Sequence, residues 1–477
     1  APIAYDSVDY RNFSIDWIKK DQFLTANQKS ALLDLNKTTN VIGTFYSYGA
    51  NGRYGLKNEK DYPDSTAAYR LLGLFRFWNV IEYFYPYKYA IGKPWDDALK
   101  KFIPLAINAN NELAMAKLAA ELSASLNDTH AVVTPTPFYK IFGKFGPPFK
   151  FKVINNLVVI TKIVDAEICK QADLEPSDII GKINGEFVKD IIAQKSKYLA
   201  ASNNAVQTRD AFYYLFNSDN PKFTVSGQKK SGIGFSKEVI RVKRNYDNEW
   251  DRDGSLDNKL IYYDDKAKKL VYSRVLEGNI GYVERSSIVN TEIDSLMQVM
   301  QNTKGIIFDL RGYNNDGNGM HILNYFLPKP VMYGIKTQPD FAKPGTFIYM
   351  NHIAAGKEPI VTIGKINPNP YRGKVVCLIN EATQSAEEMW AMLYKTIPNV
   401  TFVGSQTAGA DGNKTPVKFI GPYHIYMSGA GIFYPNGTET QRVGIVSDIE
   451  VKPTVKDLQE ERDVLVEKAI AIINAEK

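Results

Sequence analysis

Residues 378–390 read LINEATQSAEEMW and put Ser385 at the point where an apolar strand ends and a helix begins. Ser385 and Glu388 have the spacing of a capping box, in which a serine hydroxyl caps the helix and a glutamate reaches back to the cap. The same position faces unpaired backbone N–H groups and the positive end of the helix dipole. Such donors stabilise the oxyanion that forms when a serine attacks a carbonyl group. This stretch alone leaves two interpretations open, a helix cap and a nucleophile.

The sequence around this stretch alternates strands with helices from residue 276 onward. Its strand segments are GNIGYVERSSI, GIIFDLRG, GKVVCLIN and NVTFVGSQTAG, and helical stretches lie between them. Strands that alternate with helices indicate a mainly parallel, buried sheet. We therefore predict an α/β domain over residues 276–477, with Ser385 at the end of one of its strands.

Residues 146–244 have a different texture, with shorter strand segments that read NLVVITKI, DIIGKINGEFV, KFTVSG and KEVIRVKR. AEICKQADLEPSD, between the first two, is long enough for one short helix and a turn. The segment ADLEPSDIIGKINGEFV resembles the PDZ pattern, in which a turn leads into a strand and an Asn-Gly turn then reverses it. The resemblance implies a β-rich domain that binds an extended peptide as an added strand at an open sheet edge. Whether it binds free C-termini stays open.

The N-terminal part, residues 15–135, has helical periodicity. STAAYRLLGLFRFWNVIEYFYPYKY (65–89) and ELAMAKLAAELSASL (112–126) repeat apolar residues at helical spacing. We interpret the aromatic residues of the first segment as a core-facing stripe rather than a ligand site; they are Phe75, Phe77, Trp78, Tyr83 and Phe84. Residues 245–275 are a polar connector. DNEWDRDGSLD within it is interpreted as a solvated acidic turn, because its glycine is out of register with a calcium-loop glutamate.

The composition is that of a folded globular protein, with 44% hydrophobic and 23% charged residues. A length of 477 residues predicts two to four domains. The formal charge of +6 does not indicate a nucleic-acid partner, and no apolar run is long enough to predict a membrane span. Two distant cysteines indicate neither a disulfide framework nor a zinc cluster. The start Ala-Pro-Ile, without Met, is consistent with a removed export signal or a trimmed chain, and we expect an exported protein, periplasmic or extracellular.

Several segments of the α/β part occur in a recognisable order. GIIFDLRG is followed by YNNDGNG, VVCLINEATQSAEE, VGSQTAG and QRVGIVSDIEV. This series resembles the catalytic domain of the S41 peptidases, the tail-specific and tricorn-core group, which has a ClpP/crotonase-like fold. The PDZ-like segment and the helical N-terminal region extend the resemblance over most of the chain. It implies that Ser385 is the nucleophile and that the amide of Ala386 contributes to the oxyanion hole.

The resemblance offers two possible bases for this serine, which is inert at neutral pH without one. In the processing-peptidase branch, a lysine comes just after a Thr-x-Gly turn. Here that turn is TAGA (407–410), and Ala410 occupies the lysine position. Lys414 lies four residues further on. It would serve only with a shifted loop and a pKa well below the ordinary value for lysine.

The other branch, which resembles tricorn protease, has a histidine before the PDZ-like domain. LNDTHAVV (126–133) matches the Asp-x-His segment of that branch and provides His130. Catalytic groups meet in space rather than in sequence, and the unperturbed pKa of imidazole, about 6.5, suits proton transfer at neutral pH. We predict His130 as the general base, with His321 as its substitute and a buried or capping histidine as the structural alternative. Thr129 is a candidate supporting hydroxyl, and a simple turn residue is the alternative.

A third group orients the imidazole in the tricorn-like branch, a Glu that comes close before a Gly-Val/Ile-x-Pro-Asp segment. This chain reads GTETQRVGIVSDIEV (437–451), with Gln441 at the place of the acid and Ser447 at the place of the proline. Glu439 lies two residues earlier and would project from the same face of a strand as Gln441. We choose Glu439 as the orienting acid, with Gln441, or a surface role for Glu439, as the alternatives.

The loop LRGYNNDGNG (310–319) departs from the compact Arg-x-Asn-Gly-Gly of the family. The second oxyanion donor should lie in it, and we choose the amide of Gly312. A metal-binding loop is the competing interpretation, with Asp316 as the carboxylate in the loop. We predict no metal and no cofactor.

The sequence thus predicts a multidomain α+β protein. Its parts are a helical N-terminal domain with His130 (1–140), a PDZ-like β-rich domain (146–244), a connector (245–275) and a ClpP/crotonase-like α/β catalytic domain of S41 type (276–477). We expect a serine endopeptidase that acts on peptides or unfolded proteins, in an oligomeric state that the sequence does not define. The alternatives are a non-catalytic, PDZ-containing peptide-binding protein on the same fold and an esterase-like hydrolase.

Overall fold

The structure is a computed structural model that describes residues 8–35, 46–48, 54–56, 66–244, 262–264, 269–312, 319–349 and 362–476. Some predictions concern other parts of the chain. The candidate calcium loop DNEWDRDGSLD lies outside the described residues, and so do residues 313–318 of the glycine-rich loop, including Asp316.

The described helices include the predicted helical segments, and also Val188–Ser196 and Asn204–Tyr213, which the sequence analysis did not predict. In chain order, the described α-helices are α1 (Asp16–Lys20), α2 (Ala26–Leu35), α3 (Ala67–Phe84), α4 (Asp96–Asn108), α5 (Glu112–Ala124), α6 (Phe138–Phe142), α7 (Ala166–Gln171), α8 (Val188–Ser196), α9 (Asn204–Tyr213), α10 (Ile293–Met300), α11 (Ala386–Tyr394), α12 (Val455–Gln459) and α13 (Val464–Ala475). Short 3-10 helices cover Lys88–Ile91, Arg285–Ser287, Asn290–Glu292 and Met320–Tyr325. Thr66 caps α3 and Asn111 caps α5, because each side chain accepts the N–H of the residue three positions on. The helices predicted within 65–89 and 112–126 are confirmed.

The described strands are distributed along most of the chain. In chain order they are β1 (Val8–Asp9), β2 (Tyr46–Tyr48), β3 (Tyr54–Leu56), β4 (Val133–Thr134), β5 (Phe145–Gly146), β6 (Phe149–Ile154), β7 (Leu157–Ile163), β8 (Ile179–Ile183), β9 (Glu186–Phe187), β10 (Lys222–Gln228), β11 (Gly234–Ile240), β12 (Val242–Lys243), β13 (Tyr262–Asp264), β14 (Lys269–Val271), β15 (Ser273–Leu276), β16 (Ile280–Glu284), β17 (Gly305–Asp309), β18 (Val331–Met332), β19 (Ile335–Pro339), β20 (Phe347–Tyr349), β21 (Thr362–Ile363), β22 (Lys374–Ile379), β23 (Thr401–Gly404), β24 (Lys414–Lys418), β25 (His424–Ser428), β26 (Gly431–Phe433) and β27 (Ile449–Glu450).

The chain divides into two compact units, and each unit is built from three segments of sequence. The first unit consists of residues 1–135, 332–362 and 410–442, and the second of residues 136–331, 363–409 and 443–477. The mixed helix and sheet content of the predicted fold class is confirmed. The four parts predicted from the sequence, residues 1–140, 146–244, 245–275 and 276–477, stay predictions.

A six-stranded sheet of the second unit has the order β15-β16-β17-β22-β23-β27. The neighbours from β16 to β27 are parallel, and β15 is antiparallel to β16. Every residue of β16 and β17 is buried, as expected for central strands with both faces covered. Ile307 and Val376 of this sheet pack in one core with Ala469 of α13. The predicted mainly parallel, buried sheet is confirmed.

Residues 146–244 of the same unit form an antiparallel sheet with the order β11-β10-β8-β7-β6, with β9 paired to β8. Asn184 and Gly185 join β8 to β9 with φ of 50° and 81°. A two-residue turn of type I′ needs positive φ at both positions, which explains the Asn-Gly pair. The predicted strands, the short helix α7 and this turn are confirmed. Assignment of this part to the PDZ class stays a prediction.

Among its described residues, the first unit contains α1–α5 and three antiparallel sheets, with the orders β1-β20-β19-β26, β24-β25-β4 and β2-β3. In the second of these sheets, Ile425 pairs with Val133, although the two residues are far apart in sequence. This pairing brings the chain just before β4, which contains His130, next to the end of β25. Phe77 and Phe84 of α3 are buried as predicted, but the core-facing interpretation is wrong for Phe75, which is exposed on the other face of the helix.

Candidate active site

Ser385 lies between β22 and α11, at the C-terminal edge of the parallel sheet in the second unit. It is the N-cap of α11 and is half-buried. Its backbone has φ of 56° and ψ of −112°. These angles are those of the first central residue of a type II′ turn, a position dominated by residues such as glycine and asparagine. A serine held there costs on the order of 1–3 kcal/mol.

Three other capping residues have a different backbone conformation. Thr66, Asn111 and Thr454 accept a hydrogen bond from the first turn of their helices, and their φ values are −121°, −142° and −96°. Such extended backbone is the usual conformation of an N-cap. Capping therefore does not require the strained backbone of Ser385.

The serine turn, which we define as residues 380–385, is fixed by polar contacts within the second unit. The Thr383 hydroxyl donates to the Leu310 carbonyl at 2.9 Å, and the Ala408 N–H donates to the Thr383 carbonyl at 3.0 Å. Thr383 is fully buried. The turn is thus bonded to the chain that follows β17 and to the chain that follows β23.

Glu388 holds the serine turn from the other side. Its Oε2 accepts the Ser385 N–H at 3.2 Å, which is the glutamate half of the predicted capping box. Its Oε1 accepts the Gly409 N–H at 2.7 Å and the Thr407 hydroxyl. Because Glu388 is fully buried, these donors replace the water that a carboxylate otherwise needs.

Helix α9 contacts the serine turn from the antiparallel part of the second unit. Arg209 donates to the Glu381 carbonyl at 2.6 Å and to the Gln384 side chain at 3.0 Å. The side chain of Asn203, the N-cap of α9, donates to the Thr407 carbonyl at 2.8 Å. Glu388 is bonded both to the serine turn and to the segment around Thr407. Each of these two segments therefore also contacts α9 or its N-cap.

Ala386 is the first residue of α11, so its N–H belongs to the first turn, where backbone donors have no acceptor within the helix. The next residue, Glu387, is buried and forms a bidentate ion pair with Arg285, with one N···O distance of 2.8 Å. The Arg285 guanidinium also lies over the Trp390 ring, 4.4 Å from its centroid. The start of α11 is anchored in the second unit by a buried charge pair.

Gly312 lies just after β17 and packs closely on the carboxylate of Glu284. A Cβ at Gly312 would lie 2.3 Å from Glu284 Oε1 and 2.7 Å from Ser286 Oγ. A side chain at this position would therefore require the side chains of Glu284 and Ser286 to move. The role of the Gly312 amide in an oxyanion hole stays a prediction, since residues 313–318 lie outside the described residues.

His130 lies in the first unit, in the histidine loop, which we define as residues 127–132. It is buried, and its Nδ1 is 2.9 Å from the hydroxyl oxygen of Ser428. The Ser428 hydroxyl donates to Asp128 Oδ1 at 3.0 Å, and the Ser428 N–H donates to Asp128 Oδ2 at 2.7 Å. The His130 N–H also donates to Asp128 Oδ1, at 3.0 Å. The Ser428 hydroxyl thus contacts the imidazole ring. The Asp128 carboxylate contacts that hydroxyl and the backbone N–H of His130.

Burial lowers the pKa of the His130 imidazole. The nearby Asp128 carboxylate acts in the opposite direction, and the charge of Lys414 lowers the pKa further. Desolvation is the largest of these effects, so the neutral ring is favoured near neutral pH. A neutral imidazole is the form that accepts a proton.

Glu439 also lies in the first unit, but its described contacts involve Arg11. Arg11 Nη1 is 3.0 Å from Glu439 Oε1, and both side chains are partly exposed. The Arg11 guanidinium lies over the Tyr89 ring, 4.3 Å from its centroid. Glu439 raises the pKa of the Tyr89 phenol by accepting its hydrogen bond, although burial is the larger cause. The orienting role of Glu439 stays a prediction.

The remaining predicted residues have the following positions. Gln441 and Thr129 are both buried in the first unit. Neither amide atom of Gln441 has a hydrogen-bond partner in the part of the chain that the structure describes. Lys414 lies on β24, with its ammonium 4.5 Å from the centroid of the Tyr426 ring, and His321 lies in the 3-10 helix Met320–Tyr325.

Sequence reasoning missed Asp128 and Ser428 as partners of the imidazole. Asp128 is part of the Asp-x-His pattern, which is a signal that the carboxylate belongs to the histidine loop. Ser428 follows His130 by 298 residues and lies in no motif that the sequence reveals. The pairing of β25 with β4 brings the two together, and that pairing is a property of the fold.

Comparisons with known proteins agree with this architecture. The family model for peptidase family S41 matches residues 279–451. No curated protein matches the chain. The structure of mature CPAF in complex with lactacystin is similar, with a TM-score of 0.62, 14% identity and coverage of 86% of this chain and 99% of that chain. A putative peptidase from Parabacteroides merdae ATCC 43184 is similar, with a TM-score of 0.50, 15% identity and coverage of 87% of this chain and 98% of that chain. At these identities, the structural similarity concerns the fold.

The family match, with a serine at a strand–helix turn of the matching domain, defines a serine-type peptidase. Through residues 279–451, the chain is similar to peptidase family S41. The predictions of family and enzyme class are confirmed, as is the S41 peptidase-like fold.

Two kinds of feature are absent from the described residues. No group of three or more His, Cys, Asp or Glu side chains is arranged there to hold a metal ion. Within the same residues, no helix has both the length and the apolar character needed to cross a bilayer.

Proposed function

We propose that this peptidase cleaves internal peptide bonds through an acyl-enzyme on Ser385, with His130 as the general base. The observation that carries the proposal is the backbone of Ser385, with φ of 56° and ψ of −112° at the junction of β22 and α11. A sharp, strained turn between a strand and a helix exposes a nucleophilic serine in other hydrolases. Strain of this kind persists where function requires a fixed geometry.

The oxyanion is stabilised by backbone donors at the start of α11. The Ala386 N–H has no acceptor within its helix and lies at the positive end of the helix dipole. The second donor is the N–H of Gly312. Loss of one such donor typically lowers turnover about 10²–10³-fold.

Proton transfer in this mechanism involves His130. Burial keeps its imidazole neutral near pH 7, so that its Nε2 takes the proton of the Ser385 hydroxyl as the oxygen attacks the scissile carbonyl. The imidazolium then gives that proton to the leaving amine, and the acyl-enzyme remains. Water attacks the ester, His130 accepts a proton from the water, and Ser385 recovers it when the acid product leaves.

The substrate is a peptide or an unfolded polypeptide in extended conformation, in an exported setting. The antiparallel sheet of residues 146–244 ends at β6 on one side and β11 on the other. An edge strand can bind an extended chain through its free backbone groups. This part of the molecule would deliver substrate to the serine turn.

A fluorophosphonate probe tests the nucleophile, since it labels a serine only when the hydroxyl is activated. We expect the wild type to be labelled once, at Ser385, and Ser385→Ala to remain unlabelled. Thr454→Ala is the matched control, because it removes another hydroxyl at a helix N-terminus and should leave labelling unchanged. An unlabelled wild type that still binds peptide would identify a non-catalytic peptide-binding protein. A labelled protein that cleaves simple esters but not casein would identify an esterase-like hydrolase.

A further inference from the structure

The imidazole of His130 contacts a hydroxyl rather than a carboxylate. Its Nδ1 lies 2.9 Å from Ser428 Oγ, and this oxygen lies 3.0 Å from Asp128 Oδ1. All three side chains are buried, so water does not compete for these contacts. The arrangement is a chain of hydrogen bonds that runs from the ring through one hydroxyl to one carboxylate.

The carboxylate of Asp128 faces donors on both of its oxygens. Oδ1 accepts from the His130 N–H and the Ser428 hydroxyl, and Oδ2 accepts from the Ser428 N–H. The Tyr85 hydroxyl is a further hydrogen-bond partner of Asp128, and this carboxylate and burial together raise the pKa of the phenol. An ionised carboxylate only accepts hydrogen bonds. Asp128 is therefore suited to orient the Ser428 hydroxyl, so that its O–H group points toward the carboxylate.

The direction of that hydroxyl determines the tautomer of His130. A hydroxyl has one proton to donate, and that of Ser428 is directed to Asp128. Its oxygen therefore accepts from His130 Nδ1, which must carry the ring proton. In a neutral imidazole, only one nitrogen is protonated. The other nitrogen, Nε2, is then left with the lone pair that a general base needs.

We propose that Ser428 and Asp128 are the positioning residues of His130, in the place of the carboxylate that the sequence predicted at Glu439. This inference rests on the proposed function of His130 as a base. Asp128 fixes Ser428, Ser428 fixes the tautomer and the ring plane, and neither touches the substrate. The described contacts of Glu439 support this choice, since its carboxylate pairs with Arg11.

The same chain of bonds stabilises the charge that forms during catalysis. When Nε2 takes the proton of Ser385, the ring becomes a cation with both nitrogens protonated. Its Nδ1 proton stays on the ring and donates to Ser428, while the hydroxyl proton of Ser428 stays on oxygen and donates to Asp128. No proton reaches the carboxylate. The negative charge of Asp128 stabilises the positive charge of the ring, whereas the positive charge of Lys414 destabilises it.

Nitrogen-15 NMR of protein labelled at its histidine rings tests the tautomer directly. His130 signals are identified by their loss in His130→Gln. We expect wild-type His130 to have a protonated Nδ1 and an unprotonated Nε2 at a pH where the ring is neutral. Ser428→Ala removes the acceptor and should shift the population toward the Nε2 proton. A wild-type ring with its proton on Nε2 would overturn the proposal.

Kinetics provide the second readout. We expect Ser428→Ala to lower kcat about 10–100-fold with KM changed less than about twofold, because proton transfer is impaired while substrate binding is not. Asp128→Asn replaces an acceptor oxygen by a donor and should lower kcat further; the equivalent change in a Ser-His-Asp protease costs about 10⁴-fold. Ser428→Thr keeps the hydroxyl and should recover most of the activity if thermal unfolding shows that the added methyl group is accommodated.

Ser123→Ala is the matched control, because Ser123 is also a buried serine and its hydroxyl donates to the Ala131 carbonyl in the histidine loop. This variant should lose stability but keep the wild-type tautomer and pH profile of kcat/KM. Equal kinetic losses in Ser123→Ala and Ser428→Ala, with the tautomer unchanged in both, would assign Ser428 a purely structural role. Failure of the proposed function is distinguishable, because the wild type would then show no fluorophosphonate labelling whatever the tautomer.

Discussion

The serine turn and the histidine loop are fixed by contacts of very different range in the sequence. Ser385 is held by Glu388, which is three residues away, and by a strained backbone conformation. His130 is held by Ser428, which is 298 residues away. A motif can encode the first arrangement, because all its parts lie in one segment. The second depends on the pairing of β4 with β25, so a change in either strand alters the environment of His130.

The largest expected effect comes from removal of Ser385, the proposed nucleophile. Ser385→Ala should lower kcat about 10⁶-fold, as expected when a catalytic serine is lost and only binding and the oxyanion donors remain. The measurement is hydrolysis of casein and of a fluorogenic peptide. Circular dichroism should show an unchanged fold, since alanine adds no bulk. Activity within tenfold of the wild type would return Ser385 to the role of a helix cap.

Removal of the base should have the next largest effect. His130→Ala should lower kcat/KM about 10⁴-fold, the upper range for general acid–base catalysis, and should slow fluorophosphonate labelling by a similar factor. His321→Ala is the matched control, because it removes the histidine that the sequence left as a substitute. Equal losses in the two variants, or a larger loss in His321→Ala, would move the base to the second unit.

Glu388→Gln tests how far the local contacts of the serine turn matter. Each Glu388 oxygen accepts a hydrogen bond from a backbone N–H. In the glutamine variant, the side-chain NH₂ group must face one of these N–H groups, and two donors then meet without an acceptor. We expect stability to fall by about 1–3 kcal/mol, and kcat to fall about 10²-fold because the nucleophile moves. The control is Glu467→Gln on α13, whose ion pair with Arg462 is exposed and should contribute less than about 1 kcal/mol. An unchanged kcat in Glu388→Gln would show that the turn does not depend on this carboxylate.

The contrast between contacts that are local in sequence and contacts that are distant explains how much of the fold and site was predictable from the sequence. Apolar periodicity and alternation predicted α3, α5, the strands of residues 146–244 and the parallel sheet, because these patterns follow from local burial. The position of Ser385 was predictable because the apolar strand pattern before it and the helical pattern after it lie in one short segment of sequence. Ser428 was not predictable, since its contact with His130 follows from strand pairing between distant segments. Glu439 illustrates the same point, because its contact with Arg11 joins residues that are 428 positions apart.

Ser385→Gly separates strain from capping through stability rather than activity. Glycine adopts positive φ without steric cost, so this variant should be more stable than the wild type by about 1 kcal/mol, after its larger loss of chain entropy is included. The measurement is urea unfolding. Thr454→Gly is the matched control at an extended N-cap and should lose a few tenths of a kcal/mol. Destabilisation of both variants by similar amounts would remove the argument from strain.

The smallest expected effect is in the pH profile, and it tests the burial of His130. Because desolvation lowers the pKa of this imidazole, the acid limb of kcat/KM should have its midpoint below the ordinary histidine value of about 6.5. More than half of the maximal activity should therefore remain at that pH. Between the lowered pKa and about 6.5, the unfolded chain binds a proton that the folded chain does not, so stability should fall as the pH decreases through this range. His130→Gln removes this contribution, and the difference in unfolding free energy between wild type and variant should change with pH only in this window. An acid limb with its midpoint above 6.5 would mean that the charge of Asp128 outweighs desolvation, and less than half of the His130 rings would then be neutral at pH 6.5.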